Sequence, residues 1–229
     1  MMDFIEGEIL YIDKPLNWTS FRLVKVVRGK LRERLNLKKL KVGHAGTLDP
    51  LATGVMVVCT GKKTKQIERL QAGVKEYVAT IKLGATTPSF DLETEVDAEY
   101  PTDHITQEMV LETLKKFVGE IQQIPPNFSA VKVNGKRAYD LARKDVKFEL
   151  KPKLLVIDSI ALDKYDLPYI TVSIVCSKGT YIRALARDIG TSLQSGGHLT
   201  SLVRTRVGDA TLEKCLRVDE LDAFFAENI

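Results

Sequence analysis

Apolar and polar residues follow one another along this chain in patterns that predict several strands. Residues 9–12 and 55–60 are compact apolar runs typical of short buried strands. Residues 77–83 alternate apolar and polar side chains, as a half-buried strand does. Two further strands are predicted near residues 154–162 and 170–176. Strands are therefore expected in both halves of the chain.

Helical spacing of apolar residues predicts helices between these strands. A first helix follows Thr19 or Ser20, either of which can cap it. The same spacing predicts further helices over residues 62–70, 106–118, 182–193 and 218–226. The pair Asn134-Gly135 indicates a tight hairpin turn. Because strands outnumber clean strand-helix-strand units, the pattern favours an α+β fold with a largely antiparallel sheet over a doubly wound one.

Composition indicates one ordinary globular domain spanning residues 1–229, with 44% hydrophobic and 28% charged residues. The N-terminus lacks the features of a signal peptide and no apolar run approaches the length of a membrane span, so we expect a cytoplasmic protein without membrane contact. The three cysteines and three histidines are widely spaced. This spacing predicts neither a disulfide framework nor a metal site.

The charges are unevenly distributed. Residues 22–41 carry nine basic side chains against one acid, Glu33. This basic block is equally compatible with a polyanion held by phosphate contacts and with a solvated helix face. Residues 83–114 contain eight acids and no Lys or Arg, so we expect that stretch to face away from nucleic acid.

The stretch GHAGTLDPLATGV, residues 43–55, surrounds a single acid, Asp49, with small or conformationally fixed neighbours. Pro50 biases Asp49 toward an extended conformation, and the glycines permit tight turns or close approach of a ligand. From composition alone a surface turn is the more frequent outcome. Asp49 is also the only acid between Glu33 and Glu68, so paired-carboxylate chemistry is not indicated.

As it stands, this stretch resembles the active-site loop of the bacterial tRNA pseudouridine synthase B family, whose aspartate is the essential catalytic residue. Further segments resemble motifs of the same family. They are IDKPLNWTS at residues 12–20, KEY at 75–77, PPNFSAVKVNGKRAY at 125–139, GTYIRALARDIG at 179–190, SGGHL at 195–199 and SLVRT at 201–205. The resemblance extends to about residue 208 and implies the pseudouridine synthase fold, with a mixed central sheet flanked by helices and loops.

The resemblance implies roles for individual residues. Asp49, Tyr77 and Arg183 are the expected catalytic set: Arg183 holds the Asp49 carboxylate ionised, and Tyr77 packs on the target uracil and assists proton transfer. His44 is expected to fill the gap left by the flipped base, and Leu202 to form an apolar wall of the pocket. Without the resemblance, Arg183 would be a surface arginine of an amphipathic helix and Tyr77 a core residue.

Two lysines complete the expected substrate-binding set. Lys14 stands at a hallmark position of the opening motif, with a supporting role near the loop. Lys178 lies in the turn at residues 176–180, whose free backbone amides are suited to a nucleic-acid phosphate.

The sequence also departs from the family pattern. Asn17 stands where a glycine is usual, and TTPSFDLETE at residues 86–95 follows the family's threonine-aspartate-glycine segment only loosely. Many members carry a C-terminal RNA-binding domain of the PUA type after the catalytic one, and we expect the short form that lacks it.

The favoured hypothesis is a monomeric enzyme that needs no cofactor, metal or protein partner and converts uridine 55 in the T-loop of tRNA to pseudouridine after base flipping. The residues do not distinguish attack of Asp49 on the sugar carbon, attack on the ring, or removal of a sugar proton to give a glycal. Two alternatives stay open at this point: a noncatalytic RNA-binding or tRNA-folding module, and the same chemistry on uridines chosen by a guide RNA or otherwise.

Overall fold

The structure is a computed structural model that describes residues 1–144 and 146–229. Its strands, in chain order, are β1 (Ile9–Lys14), β2 (Val42–His44), β3 (Ala52–Thr60), β4 (Lys75–Leu83), β5 (Ala85–Thr86), β6 (Ala98–Glu99), β7 (Gly119–Gln123), β8 (Lys132–Val133), β9 (Lys136–Arg137), β10 (Lys153–Asp166), β11 (Tyr169–Cys176), β12 (Gly197–Val207) and β13 (Ala210–Thr211). Its α-helices are α1 (Ser20–Arg34), α2 (Ile67–Gln71), α3 (Gln107–Lys115), α4 (Ala138–Ala142), α5 (Ile182–Ser192) and α6 (Leu221–Asn228).

The chain divides into two compact units. The first unit comprises Met1–Tyr77 and Val203–Ile229, and the second comprises Val78–Leu202. Strands β4 and β12 each run from one unit into the other. The single domain expected from composition therefore stays a prediction.

The first unit is built on strands in the order β1-β3-β12, with β2 also paired to β3 and β13 to β12. The β1–β3, β2–β3 and β12–β13 pairs are antiparallel. Side chains of β3 and β12 bury an apolar cluster that includes Val55, Val57 and Val207. Helix α1 turns Leu23, Val27 and Leu31 inward at helical spacing and leaves its other faces to basic residues.

The second unit is built on strands in the order β12-β4-β11-β10-β7. The β10–β11 and β10–β7 pairs are antiparallel, and β5–β6 and β8–β9 form two separate two-stranded antiparallel sheets. Helices α3 and α5 contact each other, and α3 packs on β10. The prediction of an α+β fold with a largely antiparallel sheet flanked by helices is confirmed.

Most predicted elements are present, with boundaries shifted by a few residues. Thr19 caps α1, since its side-chain oxygen accepts a hydrogen bond from the Arg22 amide at 3.0 Å. Asn134 and Gly135 both have positive φ, 48° and 81°, as a two-residue turn between β8 and β9 requires.

Several segments differ from the prediction. Residues 62–70 were predicted as one basic amphipathic helix, but the chain forms a 3-10 helix over Gly61–Gln66 before the short α2. The Thr64 hydroxyl donates to the Gly61 carbonyl at 2.7 Å, and this local bond competes with the α-helical pattern. The 3-10 helix also buries none of its residues, so no packing of an apolar face favours an α-helix there. Strand β7 was missed because its sequence GEIQQ is polar, as befits the edge of the sheet.

Replacing Gly54 or Gly29 by alanine tests how closely the backbones of β3 and β12 approach each other in the first unit. Gly54 has φ of +104°, and a Cβ atom there would lie 2.2 Å from the Arg204 carbonyl oxygen. We expect Gly54→Ala to lower the free energy of unfolding by at least about 2 kcal/mol, because the backbone is strained and β12 must move.

Gly29→Ala is the matched control, since Gly29 lies inside α1 and a Cβ atom there meets nothing within 4 Å. It should stabilise the protein by up to about 1 kcal/mol. Urea unfolding of both variants measures the effects. Equal stabilities for the two variants would contradict the close approach of β3 and β12.

Candidate active site

Asp49 lies in the seven-residue loop at residues 45–51, between two strands that pair with each other, β2 and β3. The loop leaves β2 with a hydrogen bond from the Ala45 amide to the Val57 carbonyl at 2.8 Å. It re-enters β3 where the Ala52 amide donates to the Asp49 carbonyl at 3.1 Å. Asp49 itself is partly exposed. The paired strands therefore fix both ends of the loop and leave the carboxylate within reach of a ligand.

Residues 17 and 20, at the junction of the β1–α1 connection and α1, hold the two residues on either side of Asp49. The Ser20 hydroxyl lies 2.9 Å from both the amide nitrogen and the carbonyl oxygen of Leu48. The Asn17 amide donates to the Pro50 carbonyl at 2.8 Å. Ser20 was predicted only as a possible helix cap, whereas in the structure its hydroxyl positions the loop.

Lys14 also holds this loop, through hydrogen bonds from its side chain. Its side chain is fully buried, and Nζ donates to the carbonyls of Trp18 at 2.7 Å, Pro15 at 3.0 Å and Pro50 at 3.4 Å. Burial lowers the pKa of Lys14 to about 8, although the nearby Asp49 carboxylate opposes that shift. The predicted supporting role near the loop fits this placement, because the acceptors around Nζ are backbone carbonyls.

Arg204, on β12, is a positioning residue that the sequence reasoning missed. Only 1% of Arg204 is exposed. Its guanidinium donates to the Val55 carbonyl at 2.8 Å, the Gly46 carbonyl at 3.1 Å and the Thr47 carbonyl at 3.4 Å. These carbonyls lie on both sides of Asp49 along the chain. A signal was available, since Leu202 and Arg204 occupy alternate, inward positions of one strand in the SLVRT segment.

His44 ends β2 directly before the loop. Its Nε2 atom lies 3.3 Å from the Thr47 hydroxyl, and the ring is half-buried. Burial lowers the pKa of His44, and the charge of Arg204 lowers it further. The imidazole is therefore neutral near pH 7, which suits a side chain expected to stack among bases.

Tyr77, the fourth expected site residue in the first unit, lies on β4 with its side chain buried. Its neighbour Glu76 points to the opposite face and forms an ion pair with Arg206 of β12. The strand thus presents Tyr77 to the interior and a charged pair to solvent.

The remaining expected residues belong to the second unit. Arg183, in the first turn of α5, is 4% exposed rather than on the surface flank that helical spacing predicted. Its guanidinium donates to the carbonyls of Phe128 at 2.9 Å and Ser89 at 3.2 Å, and Nε lies 3.6 Å from the Asp91 carboxylate. Asp91 is buried as well, so this member of the acidic stretch is an interior residue. That the stretch faces away from nucleic acid stays a prediction.

Leu202 and Lys178 occupy different environments in the second unit. The Leu202 side chain is buried on β12, and Lys178 is exposed in the turn between β11 and α5. The structure therefore groups Lys14, His44 and Asp49 around one loop of the first unit, and Arg183 with Asp91 in the second.

The described residues hold neither a metal-binding cluster nor a membrane-spanning helix. Within residues 1–144 and 146–229, the His, Cys, Asp and Glu side chains form no group of three or more that could hold a metal ion. In the same residues no helix has the length and apolar character needed to cross a membrane.

Comparison with known proteins places the chain in a family. The sequence model described as TruB family pseudouridylate synthase (N terminal domain) matches residues 32–182, more than half of the chain. The chain belongs to the TruB family. A protein named tRNA pseudouridine synthase B from Bacteroides fragilis is 70% identical over 215 residues, which cover 94% of this chain and 92% of that protein.

More distant TruB relatives and a solved structure agree. Proteins of the same name from Parabacteroides distasonis and Flavobacterium johnsoniae are 64% and 48% identical, covering 100% and 94% of this chain and 97% and 95% of theirs. One chain in the crystal structure of a Cbf5-Nop10-Gar1 complex superposes with a TM-score of 0.72 at 26% identity. The match covers 99% of this chain and 57% of that one. The pseudouridine synthase fold is thus confirmed.

One departure from the TruB pattern has a structural reason. Asn17 replaces the usual glycine, and its φ is 63°, in the left-handed region that glycine favours. Asparagine enters this region more readily than other non-glycine residues. The Asn17 backbone can therefore keep the turn that brings its amide to Pro50.

The low pKa of Lys14 makes stability depend on pH. The unfolded chain keeps Lys14 protonated up to about pH 10.5, whereas the folded chain releases that proton near pH 8. Unfolding between these values takes up a proton, so Lys14 makes the folded state relatively more stable as pH rises through this window. We expect wild type to gain up to about 1.4 kcal/mol per pH unit relative to Lys14→Met.

Urea unfolding of wild type and Lys14→Met from pH 7 to 10 measures this difference, and the subtraction removes the contribution of other titrating groups. A difference that stays constant across the range would show that Lys14 is not desolvated.

Arg204 is tested through the pKa of His44. Removing its charge in Arg204→Met should raise the pKa of His44 toward 6.5, because one of the two causes of the depression is gone. NMR titration of the His44 ring measures it, in samples whose fold is verified by amide spectra. Arg206→Met, which removes a cation from the same strand, is the control and should leave the pKa of His44 unchanged. Identical titrations in both variants would place Arg204 away from the loop.

Proposed function

We propose that this chain converts uridine 55 in the T-loop of tRNA to pseudouridine. Membership of the TruB family supports the reaction class, and the relatives named tRNA pseudouridine synthase B support tRNA as substrate. The reaction is an isomerisation: the bond from the sugar C1′ to N1 breaks, a bond from C1′ to C5 forms, C5 loses its proton and N1 gains one. Atoms and electrons balance, so the reaction requires no oxidant, reductant or second substrate.

The observation that carries the proposal is the way Asp49 is held. Its loop is fixed by Lys14 and Ser20 from one side and by Arg204 from the other, while Asp49 stays partly exposed. A carboxylate fixed before substrate arrives loses little entropy in reaching the reactive geometry. We propose that Asp49 starts the reaction, whether by attack on C1′, by attack on the ring or by removal of a sugar proton.

We further propose that Arg183 pairs with Asp49 when the enzyme acts. A guanidinium beside a carboxylate favours its ionised form and can bind both oxygens at once. Asp91 supports this role, because it holds the buried Arg183 side chain in one orientation. In this proposal Arg183 contacts two carboxylates: Asp91, which positions it, and Asp49, which reacts.

The other expected residues act on the flipped nucleotide. Tyr77 stacks on the uracil and assists proton transfer, and Leu202 keeps the pocket dry. His44, neutral at pH 7, fills the space that the base leaves. Lys178, exposed beside a strand-to-helix turn, contacts a phosphate, while Lys14 acts through the loop. We propose that residues 1–229 form one catalytic domain that works on tRNA as a cytoplasmic monomer, without cofactor, metal or protein partner.

Asp49→Asn tests the central residue. The change keeps the size of the side chain but removes its charge, so turnover on a T-arm hairpin should fall by at least about 1000-fold. RNA affinity should stay within about threefold, since phosphate contacts dominate it. Tritium released from C5 of the uridine measures turnover, and filter binding measures affinity.

Asp222→Asn makes the same chemical change at an exposed residue paired with Lys30, and it should retain full turnover. A hairpin with cytidine at position 55 should release no tritium with either protein. Near wild-type turnover by Asp49→Asn would remove Asp49 from the chemistry, and product at another uridine would refute the assigned position.

A further inference from the structure

The short segment at residues 16–22, which is hydrogen-bonded to the Asp49 loop, exposes apolar side chains. Phe21 is 68% exposed and Leu16 is 53% exposed, while Trp18 between them is half-buried. Arg22 extends over the Trp18 ring, with its guanidinium carbon 4.0 Å from the ring centroid. We call these four residues the aromatic platform. Among the described residues, Phe21 is the most exposed large apolar side chain after Met1, and with Leu16 and Trp18 so near in the chain it marks a surface that a ligand can cover.

The platform is rigidly joined to the loop. Asn17, between Leu16 and Trp18, donates its amide to Pro50, and Ser20, directly before Phe21, binds Leu48. The Trp18 carbonyl accepts from Lys14. These bonds connect the platform to Leu48 and Pro50, the two neighbours of Asp49. An RNA bound at Asp49 can therefore also contact the platform.

The charge around the platform is positive. Helix α1 has no acid in its first turn, and Arg22, Lys25 and Arg32 are exposed along it. The Arg22 guanidinium also stiffens Trp18 by a cation–π contact. A cationic surface with aromatic faces complements a flexible polyanion with flat bases, namely single-stranded nucleic acid.

We propose that the aromatic platform binds an unpaired base of the RNA substrate, next to but distinct from the uridine that reacts. The base stacks on Phe21 and Trp18, and Arg22 and Lys25 contact the adjoining phosphates. The proposal rests on the RNA-modifying function proposed above. It gives the basic block a defined role, since phosphate contacts alone hold RNA without fixing its register.

The chain offers a direct probe, because Trp18 is its single tryptophan. We expect a T-arm hairpin to quench the fluorescence of Trp18, with the same midpoint as binding measured on filters. Phe21→Ala should weaken affinity roughly 10-fold, because base–aromatic stacking is lost. The KM for the hairpin should rise in parallel.

Three variants separate stacking from other contacts. Phe21→Tyr retains an aromatic face and should bind within about twofold of wild type. Phe21→Leu keeps apolar area without such a face, so it should bind as weakly as Phe21→Ala. Ile5→Ala, which removes a side chain that is 52% exposed in the same unit, should have no effect on affinity. Phe21 is exposed, so all these proteins are expected to fold, which circular dichroism verifies.

The outcomes distinguish this proposal from the function on which it rests. Saturating hairpin without quenching, together with unchanged affinity of Phe21→Ala, overturns the platform even if pseudouridine is formed. Wild-type affinity of Phe21→Leu for the hairpin also overturns stacking, because apolar area without an aromatic face is then sufficient. Quenching and weakened binding without any product would instead preserve the platform and refute the enzymatic function.

Discussion

Two buried cations, Lys14 and Arg204, organise the first unit. A charged group is expensive to bury unless its hydrogen-bonding capacity is satisfied, and here the acceptors are backbone carbonyls of the Asp49 loop and the segment after β1. The loop must therefore adopt the conformation that presents those carbonyls. Since Lys14 ends β1 and Arg204 belongs to β12, both ends of the chain are required to form one small loop.

Much of the fold could be predicted because its elements carry strong local patterns. The alternation of apolar and polar residues in β4 predicts which face of that strand is buried. The helical repeat of Leu23, Val27 and Leu31 does the same for α1. Elements without such a pattern were missed. Strand β2 has three residues and β7 is polar, so both owe their existence to a neighbouring strand that supplies hydrogen-bond partners.

Some residues of the candidate site could be predicted from the sequence, and others could not. Asp49 and His44 stand in a continuous motif, and local sequence indicated a loop there. Arg204 and Asp91 could not be recognised in the same way, because each acts on residues more than 90 positions away in the chain. The charge pattern also gave no sign that Asp91 is buried, because the arginine that makes an interior position favourable for this acid comes from α5.

The environment of Lys14 has a chemical consequence. An amine whose pKa is about 8 is a far better nucleophile at neutral pH than an ordinary lysine, because a larger fraction is unprotonated. Yet no part of this side chain is accessible, and it lies under the residue that follows Asp49. Acylating reagents can modify it only while the loop is lifted. The rate of that modification therefore reports how often the Asp49 loop leaves its folded position.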